Sequence, residues 1–207
     1  MRVLDLGSGR GATSVVLARD YGVGVIAADW WIAAEEAAAV FAEAGVGDRV
    51  EAVRANPHAL PIEAESFDAI VSVDAFEYLG TAGSYLPYLV RFLRPGEQLG
   101  VVTPAMTRGV RELGAIPPYI KKVVGRDAIA WHTARWRALP MGGHRVVTVT
   151  SARLQQDSRR DWLLWTRACV VHRPGDPAHR PVIGMLTADG GDFPGIALVT
   201  ARKNDGM

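Results

Sequence analysis

Residues 2–12 read RVLDLGSGRGA: an apolar run carrying Asp5, then Gly7, Gly9 and Gly11 alternating with Ser8 and Arg10. Glycine at this density lets a backbone turn tightly and lets a ligand touch main chain with no Cβ in between. The stretch predicts a buried strand, a tight loop and a helix opening near Ala12. That is the usual start of a nucleotide-type site in an α/β domain.

Outward from this loop, strand-like and helix-like segments alternate. ATSVVLARDYG predicts a helix stopped by Gly22, and VGVIAAD a wholly apolar strand ending in Asp29. AAEEAAAVFAEAG predicts a helix ending at Gly45, RVEAVRA a third strand, NPHALPIEAES a loop and FDAIVSV a fourth strand. SYLPYLVRFLRPG predicts a helix with Pro87 in its first turn, where a missing N–H is harmless. QLGVVTP predicts a fifth strand closed by Pro104. Apolar strands separated by helices imply a parallel sheet with right-handed crossovers.

Beyond Pro104 the pattern changes. The stretch from Met106 to Met141 is rich in Pro, Trp and basic residues and predicts an inserted helical cap. RVVTVTSARL and GIALVTA predict two more strands, and SRRDWLLWTRACVV an amphipathic helix capped by Asp157 or Ser158. The expected organisation is one domain: a cofactor half over 2–104, a cap over 105–143, and C-terminal strands and helix over 144–207.

Composition sets bounds. At 207 residues the chain can bury a core unaided. A formal net charge of +1 with 22% charged residues advertises neither nucleic acid nor a membrane surface. The single cysteine, Cys169, rules out an internal disulfide framework and reads as a buried structural thiol of a cytoplasmic protein. No apolar run reaches membrane-spanning length, and no metal-ligand spacing is visible, so neither metal nor membrane is expected.

Gly7, Gly9 and Ala12 satisfy the dinucleotide pattern G-x-G-x-x-G/A, with Asp29 at the distance expected for a ribose carboxylate. A nicotinamide oxidoreductase is one reading of that pattern. Asp5 argues against it, because an acid here repels a pyrophosphate but accepts a bond from an ammonium. Asp29 followed by Trp30 and Trp31 offers a carboxylate for ribose hydroxyls and an aromatic face for adenine.

The order DLGSGRG, AADWW, HALPIEAESFDAIVSVDAFEYLG and RFLRPGEQLGVV resembles class I S-adenosylmethionine-dependent methyltransferases of the UbiE-like type, over residues 2–104. The later WHTARWRAL and SRRDWLLW resemble one branch of small-molecule methyltransferases. The resemblance implies a Rossmann-like, doubly wound, mainly parallel seven-stranded sheet with an antiparallel last strand. It also implies an S-adenosylmethionine site. Asp5 and Gly7 would face the methionyl amino group, Ser8 would be cofactor-binding in the same loop, and Gly9 and Gly11 would let the cofactor lie against it. Asp29 would bind ribose, Trp30 would lie near the adenine, Asn56, Pro57 and His58 would edge it, and Val73 and Asp74 would approach the sulfonium end.

Relatives carry an acid followed by Ala where this chain has Asn56-Pro57. Asn56 keeps a side-chain oxygen for the adenine amino group, whereas Pro57 offers no N–H. Relatives also carry several tens of residues before the first strand, which here begins at Arg2. Either the start lies upstream, or residues 106–141 or a homo- or hetero-oligomeric partner cover the site.

The expected activity is methyl transfer to a small-molecule oxygen, nitrogen or carbon. A cofactor-binding but silent partner subunit is the alternative. Candidate bases are His132, among Trp131 and Trp136, and Glu77; each also reads as an ordinary structural or solvated residue. Asp29 equally reads as a helix cap, and at least one of Trp30 and Trp31 as core.

Overall fold

The computed structural model describes residues 1–79, 82–108, 114–125, 146–154, 157–191 and 193–205. Its seven strands form one sheet in the order β3-β2-β1-β4-β5-β7-β6. They span β1 Arg2–Leu6, β2 Gly24–Asp29, β3 Val50–Arg54, β4 Phe67–Val73, β5 Leu93–Met106, β6 Val147–Leu154 and β7 Pro194–Lys203. β1 lies between β2 and β4, and the β1–β2, β1–β4, β2–β3 and β4–β5 pairs are parallel. The last two strands run antiparallel to each other, where an antiparallel last strand was expected. Asn204 N–H donates to Val146 O and Thr150 Oγ1 to Thr200 O, so partner numbers rise on one strand as they fall on the other.

The chain divides into two compact units, Met1–Thr103 with Ala138–Ser151 and Val199–Met207, and Pro104–Arg137 with Ala152–Leu198. In the first unit, strand alternation builds two apolar layers. Val3, Val25 and Ala27 pack with Ala18 of helix α1 (Ala12–Tyr21) and with Ala37 and Phe41 of α2 (Ala34–Glu43). Leu4, Leu6, Ile26 and Ala28 pack on the other layer with Tyr85, Leu86 and Leu89 of α3 (Ala82–Leu89). Both early helices stop on left-handed glycines as predicted, Gly22 at φ 66° and Gly45 at φ 69°.

The second unit holds α4 (Pro118–Val124), the described part of the helical insertion after β5, with α5 (Ser158–His172) and α6 (His179–Asp189). Its core gathers Met106, Ile120, Met185, Leu186 and Phe193. Asp189, buried beneath them, accepts from the N–H groups of Gly191 and Phe193 and from the Tyr119 hydroxyl.

Several expectations need correction. Pro87 is the sixth residue of α3, not in its first turn, and leaves one carbonyl of the preceding turn without its helical donor. The helix ends two residues later in a 3-10 turn, Val90–Phe92, and β5 starts at Leu93, so Arg94-Pro95-Gly96 is strand. Pro104 does not close β5, which runs on to Met106. The last β4 partner is Val102, opposite Val73, so Pro104 lies beyond that ladder, where a missing N–H no longer interrupts it. Asp157 takes the N-cap position of α5 at φ 58° without a side-chain bond, and Ser158 Oγ accepts from Ile196 N–H instead. Cys169 is half-buried rather than buried.

Candidate cofactor site

The first unit carries a cavity of about 340 Å³ at the carboxyl ends of its parallel strands. Of the predicted site residues it is lined by Gly7, Gly9, Asp29, Trp30, Pro57, His58 and Asp74. Ligands of open α/β sheets bind in this place because loops from adjacent strands diverge there. The polar groups it presents are few, as in ordinary small-molecule pockets.

The glycine loop after β1 is shaped by three left-handed residues, Gly7 at φ 72°, Gly9 at φ 55° and Gly11 at φ 87°. Gly7 N–H and Ser8 N–H both donate to Ala28 O, tying the loop to β2. A Cβ on Gly7 would stand 2.3 Å from Ala75 Cβ, and one on Gly11 2.1 Å from Phe41 Cε1. Gly11 is therefore needed for packing against α2. Gly9 has nothing within 4 Å of its Cβ position and faces open space. The Ser8 hydroxyl is buried without a hydrogen-bond partner among the described residues.

Asp29, at the end of β2, organises two loops at once. Its Oδ2 accepts from Gly9 N–H at 2.9 Å, and its Oδ1 from Trp31 and Ile32 N–H at 2.8 and 2.9 Å. The capping role and the loop-bridging role coexist in one carboxylate. Trp30 and Trp31 are 50% and 73% exposed, so neither is core; both line the cavity, and Trp31 meets the Tyr78 ring edge-on at 6.1 Å.

Asp5 lies beneath the loop, outside the cavity wall, and accepts from Ser14 Oγ at 2.6 Å. Burial pushes its carboxyl up to about 6, the Ser14 hydroxyl pulling the other way and the charge of Asp29 adding to the rise.

At the end of β4 the backbone enters the left-handed region at Asp74, φ 54°, while Asp74 N–H stays bonded to Val102 O. Aspartate tolerates this conformation better than most residues. The turn carries Asp74 onto the cavity wall; Val73, still in β4, is outside it. Asp74 is exposed as a residue, yet its carboxyl is crowded by protein. Desolvation first, then the charge of Glu77 and a hydrogen bond shared with it, push it up to about 7. Glu77 Oε2 accepts from Thr103 Oγ1 at 2.8 Å, while Oε1 is buried and has no other donor among the described residues.

The loop after β3 forms the remaining wall. Asn56 is off the cavity, and its Oδ1 accepts from His58 N–H at 2.9 Å, closing a tight turn. Sequence reasoning missed the support behind this loop: the Tyr85 hydroxyl donates to Pro57 O and the Tyr88 hydroxyl accepts from Leu60 N–H. The signal was present in SYLPY, two hydroxyl-bearing rings at i and i+3 on one helix face. His132, with Trp131 and Trp136, lies outside the described residues.

Sheet order, strand directions and a glycine-loop cavity at the strand ends together make this the fold of class I S-adenosylmethionine-dependent methyltransferases. A family model described as a methyltransferase domain matches residues 3–96. The chain is 32% identical over 138 residues to a demethylmenaquinone methyltransferase of Clavibacter sepedonicus, covering 63% of this chain and 55% of that protein. It spans about half the length of the curated relatives it matches. Among solved structures it is similar to a putative sarcosine dimethylglycine methyltransferase from Galdieria sulphuraria, with TM-score 0.75 and 19% identity over 100% of this chain and 79% of the other. It is also similar to the cyclase SpnF, with TM-score 0.76 and 20% identity over 99% of this chain and 75% of the other. No described helix is long and apolar enough to cross a membrane.

Proposed function

We propose that the chain transfers a methyl group from S-adenosylmethionine to an oxygen, nitrogen or carbon of a small molecule, in the manner of UbiE-like methyltransferases. The cavity carries this reading: two left-handed glycines, the Asp29 carboxylate, two exposed tryptophans and the Asp74 carboxyl converge on one space. The stretch shared with a demethylmenaquinone methyltransferase supports the UbiE-like branch.

The residues fit the cofactor. Gly9 leaves open space where a side chain would stand, and the unpartnered Ser8 hydroxyl has a bond to give. A carboxylate has about four lone-pair sites, and three backbone donors occupy Asp29, so a place remains for a ribose hydroxyl. Trp30 offers an indole face to a purine. Asp5, buried and charged above about pH 6, is stabilised by an ammonium brought to the Gly7 turn. Asp74, on the cavity wall, would border the methionyl end.

When bound, S-adenosylmethionine supplies a methyl already activated by its sulfonium. The chain then has to hold the acceptor in line with it and keep water out. An acceptor that must lose a proton needs a base. Asp74, pushed up to about 7 and sharing a hydrogen bond with Glu77, suits that task near neutral pH. His132 and Glu77 are the candidates the sequence offered for the base, and Glu77 is not on the cavity wall.

The test is transfer of an isotope-labelled methyl from S-adenosylmethionine to members of a small-molecule panel, read by mass spectrometry with S-adenosylhomocysteine as co-product. Labelled product supports the reading. Cofactor binding with no turnover, together with a stable complex with another chain, would instead favour a silent partner subunit.

A further inference from the structure

The wall formed by residues 55–60 poses a problem of recognition. Asn56 has turned its carbonyl oxygen onto His58 N–H and is off the cavity. Pro57 has no N–H, and its carbonyl is taken by Tyr85 at 2.8 Å. The His58 N–H is spent on Asn56, and the Leu60 N–H on Tyr88 at 2.7 Å. Of the side chains this wall presents to the cavity, those of Ala55, Pro57, His58 and Leu60, the imidazole of His58 is the one with hydrogen-bonding capacity.

That ring is not loose. His58 packs edge-on to the Tyr85 ring at a centroid distance of 4.9 Å, and Tyr85 is 1% exposed. Tyr85 in turn contacts Phe76 and Tyr88, rings of the apolar layer under the sheet. One buried tyrosine thus fixes the main chain at Pro57 and the side chain at His58. A neutral imidazole carries one donor and one acceptor. The edge of a 6-aminopurine offers an amino donor beside a ring-nitrogen acceptor, so either nitrogen of His58 finds a match.

We propose that the His58 imidazole, held by Tyr85, reads the edge of the cofactor's 6-aminopurine, with Tyr85 as its positioning residue. This rests on the cofactor reading above and goes beyond it by replacing the Asn56 side-chain contact expected from the sequence.

The experiment is a ligand-by-protein cycle read as binding rather than turnover. The full chain and its His58→Ala variant are titrated calorimetrically with S-adenosylhomocysteine, its counterpart lacking the 6-amino group, and its 1-deaza counterpart. In the wild type, deleting the contacted purine group weakens binding about 3- to 10-fold, the size of one neutral hydrogen bond. In His58→Ala that penalty vanishes, because its partner is gone. His58 is exposed, so its loss leaves the fold intact. Tyr85→Phe keeps the ring and removes the Pro57 bond. It is expected to shrink the same penalty, whereas general loosening of the fold would weaken all three ligands alike and leave the penalty unchanged. Equal penalties in wild type and His58→Ala for both analogues would overturn the proposal while leaving the cofactor reading standing. A wild type that binds none of the three ligands would overturn both.

Discussion

Asp29→Ala removes the acceptor for three backbone donors in one step. The Trp31 N–H is exposed and rehydrates at little cost, whereas those of Gly9 and Ile32 are part-buried. Two part-buried donors losing a charged acceptor cost about 1 kcal/mol each or somewhat more, so a destabilisation of about 2 kcal/mol is expected. In a chain of this size that lowers Tm by roughly 4–8 °C. Urea unfolding followed by far-ultraviolet circular dichroism is the suitable assay, because the adjacent Trp30 and Trp31 would report local change in fluorescence. Amide exchange should also quicken at Gly9, whose N–H sits in the affected loop. Asp29→Asn separates the contributions: its one carbonyl oxygen can keep Trp31 and Ile32, while its amide group then faces Gly9 N–H, donor against donor. It should fall between wild type and alanine. A stability within 0.5 kcal/mol of wild type, about the usual range of a surface substitution, would refute the view that this carboxylate holds the two loops together.

Three other perturbations follow from the same geometry. Gly11→Ala must place a methyl 2.1 Å from the fully buried Phe41 ring in a left-handed conformation, whereas Gly9→Ala meets no atom within 4 Å. Chemical denaturation should show about 3 kcal/mol lost at Gly11 and about 1 kcal/mol at Gly9, and the reverse order would contradict the loop geometry. Asp5, raised from 3.8 to about 6, binds its proton more tightly folded than unfolded, so it favours the fold below pH 3.8 and that stability is lost as pH rises to about 6. Asp5→Asn should flatten this window and be more stable than wild type at pH 7 by up to about 3 kcal/mol; equal pH profiles would refute it. Carbon-13 carboxyl titration should find Asp74 near 7 in the wild type and lower in Glu77→Gln, since Glu77 contributes both a charge and a hydrogen bond. An unmoved Asp74 would dissolve the pair.

The first half of the chain was legible because its signals are local. The glycine loop, the apolar strands and the glycine stops at Gly22 and Gly45 each follow from backbone freedom or side-chain alternation within a few residues. The same holds for Gly7, Gly9, Asp29 and Asp74, which the loop positions alone place at strand ends. What stayed hidden depended on partners far along the chain in α6, and on side-chain-to-backbone turns at Asn56 and Asp29. Helix α6, HRPVIGMLTAD, carries Pro181 in its first turn and Gly184 mid-helix, which weaken the local signal; packing of Met185 and Leu186 with Ile120 and Phe193 overrides them. Asn56 looked available to a ligand because nothing in NPHAL announces that its oxygen turns back onto His58. One of the two tryptophans looked like core because large aromatics usually bury much of their surface; both rings are exposed, beside the turn that Asp29 holds at Trp31 and Ile32.

Calorimetric titration of the wild-type chain with S-adenosylhomocysteine, with NADH as control, is the most direct test of the cofactor site. One equivalent bound with a Kd of roughly micromolar order, and no heat from NADH, is the predicted result. Saturating heat from NADH, or no binding of S-adenosylhomocysteine at millimolar concentration, would contradict it.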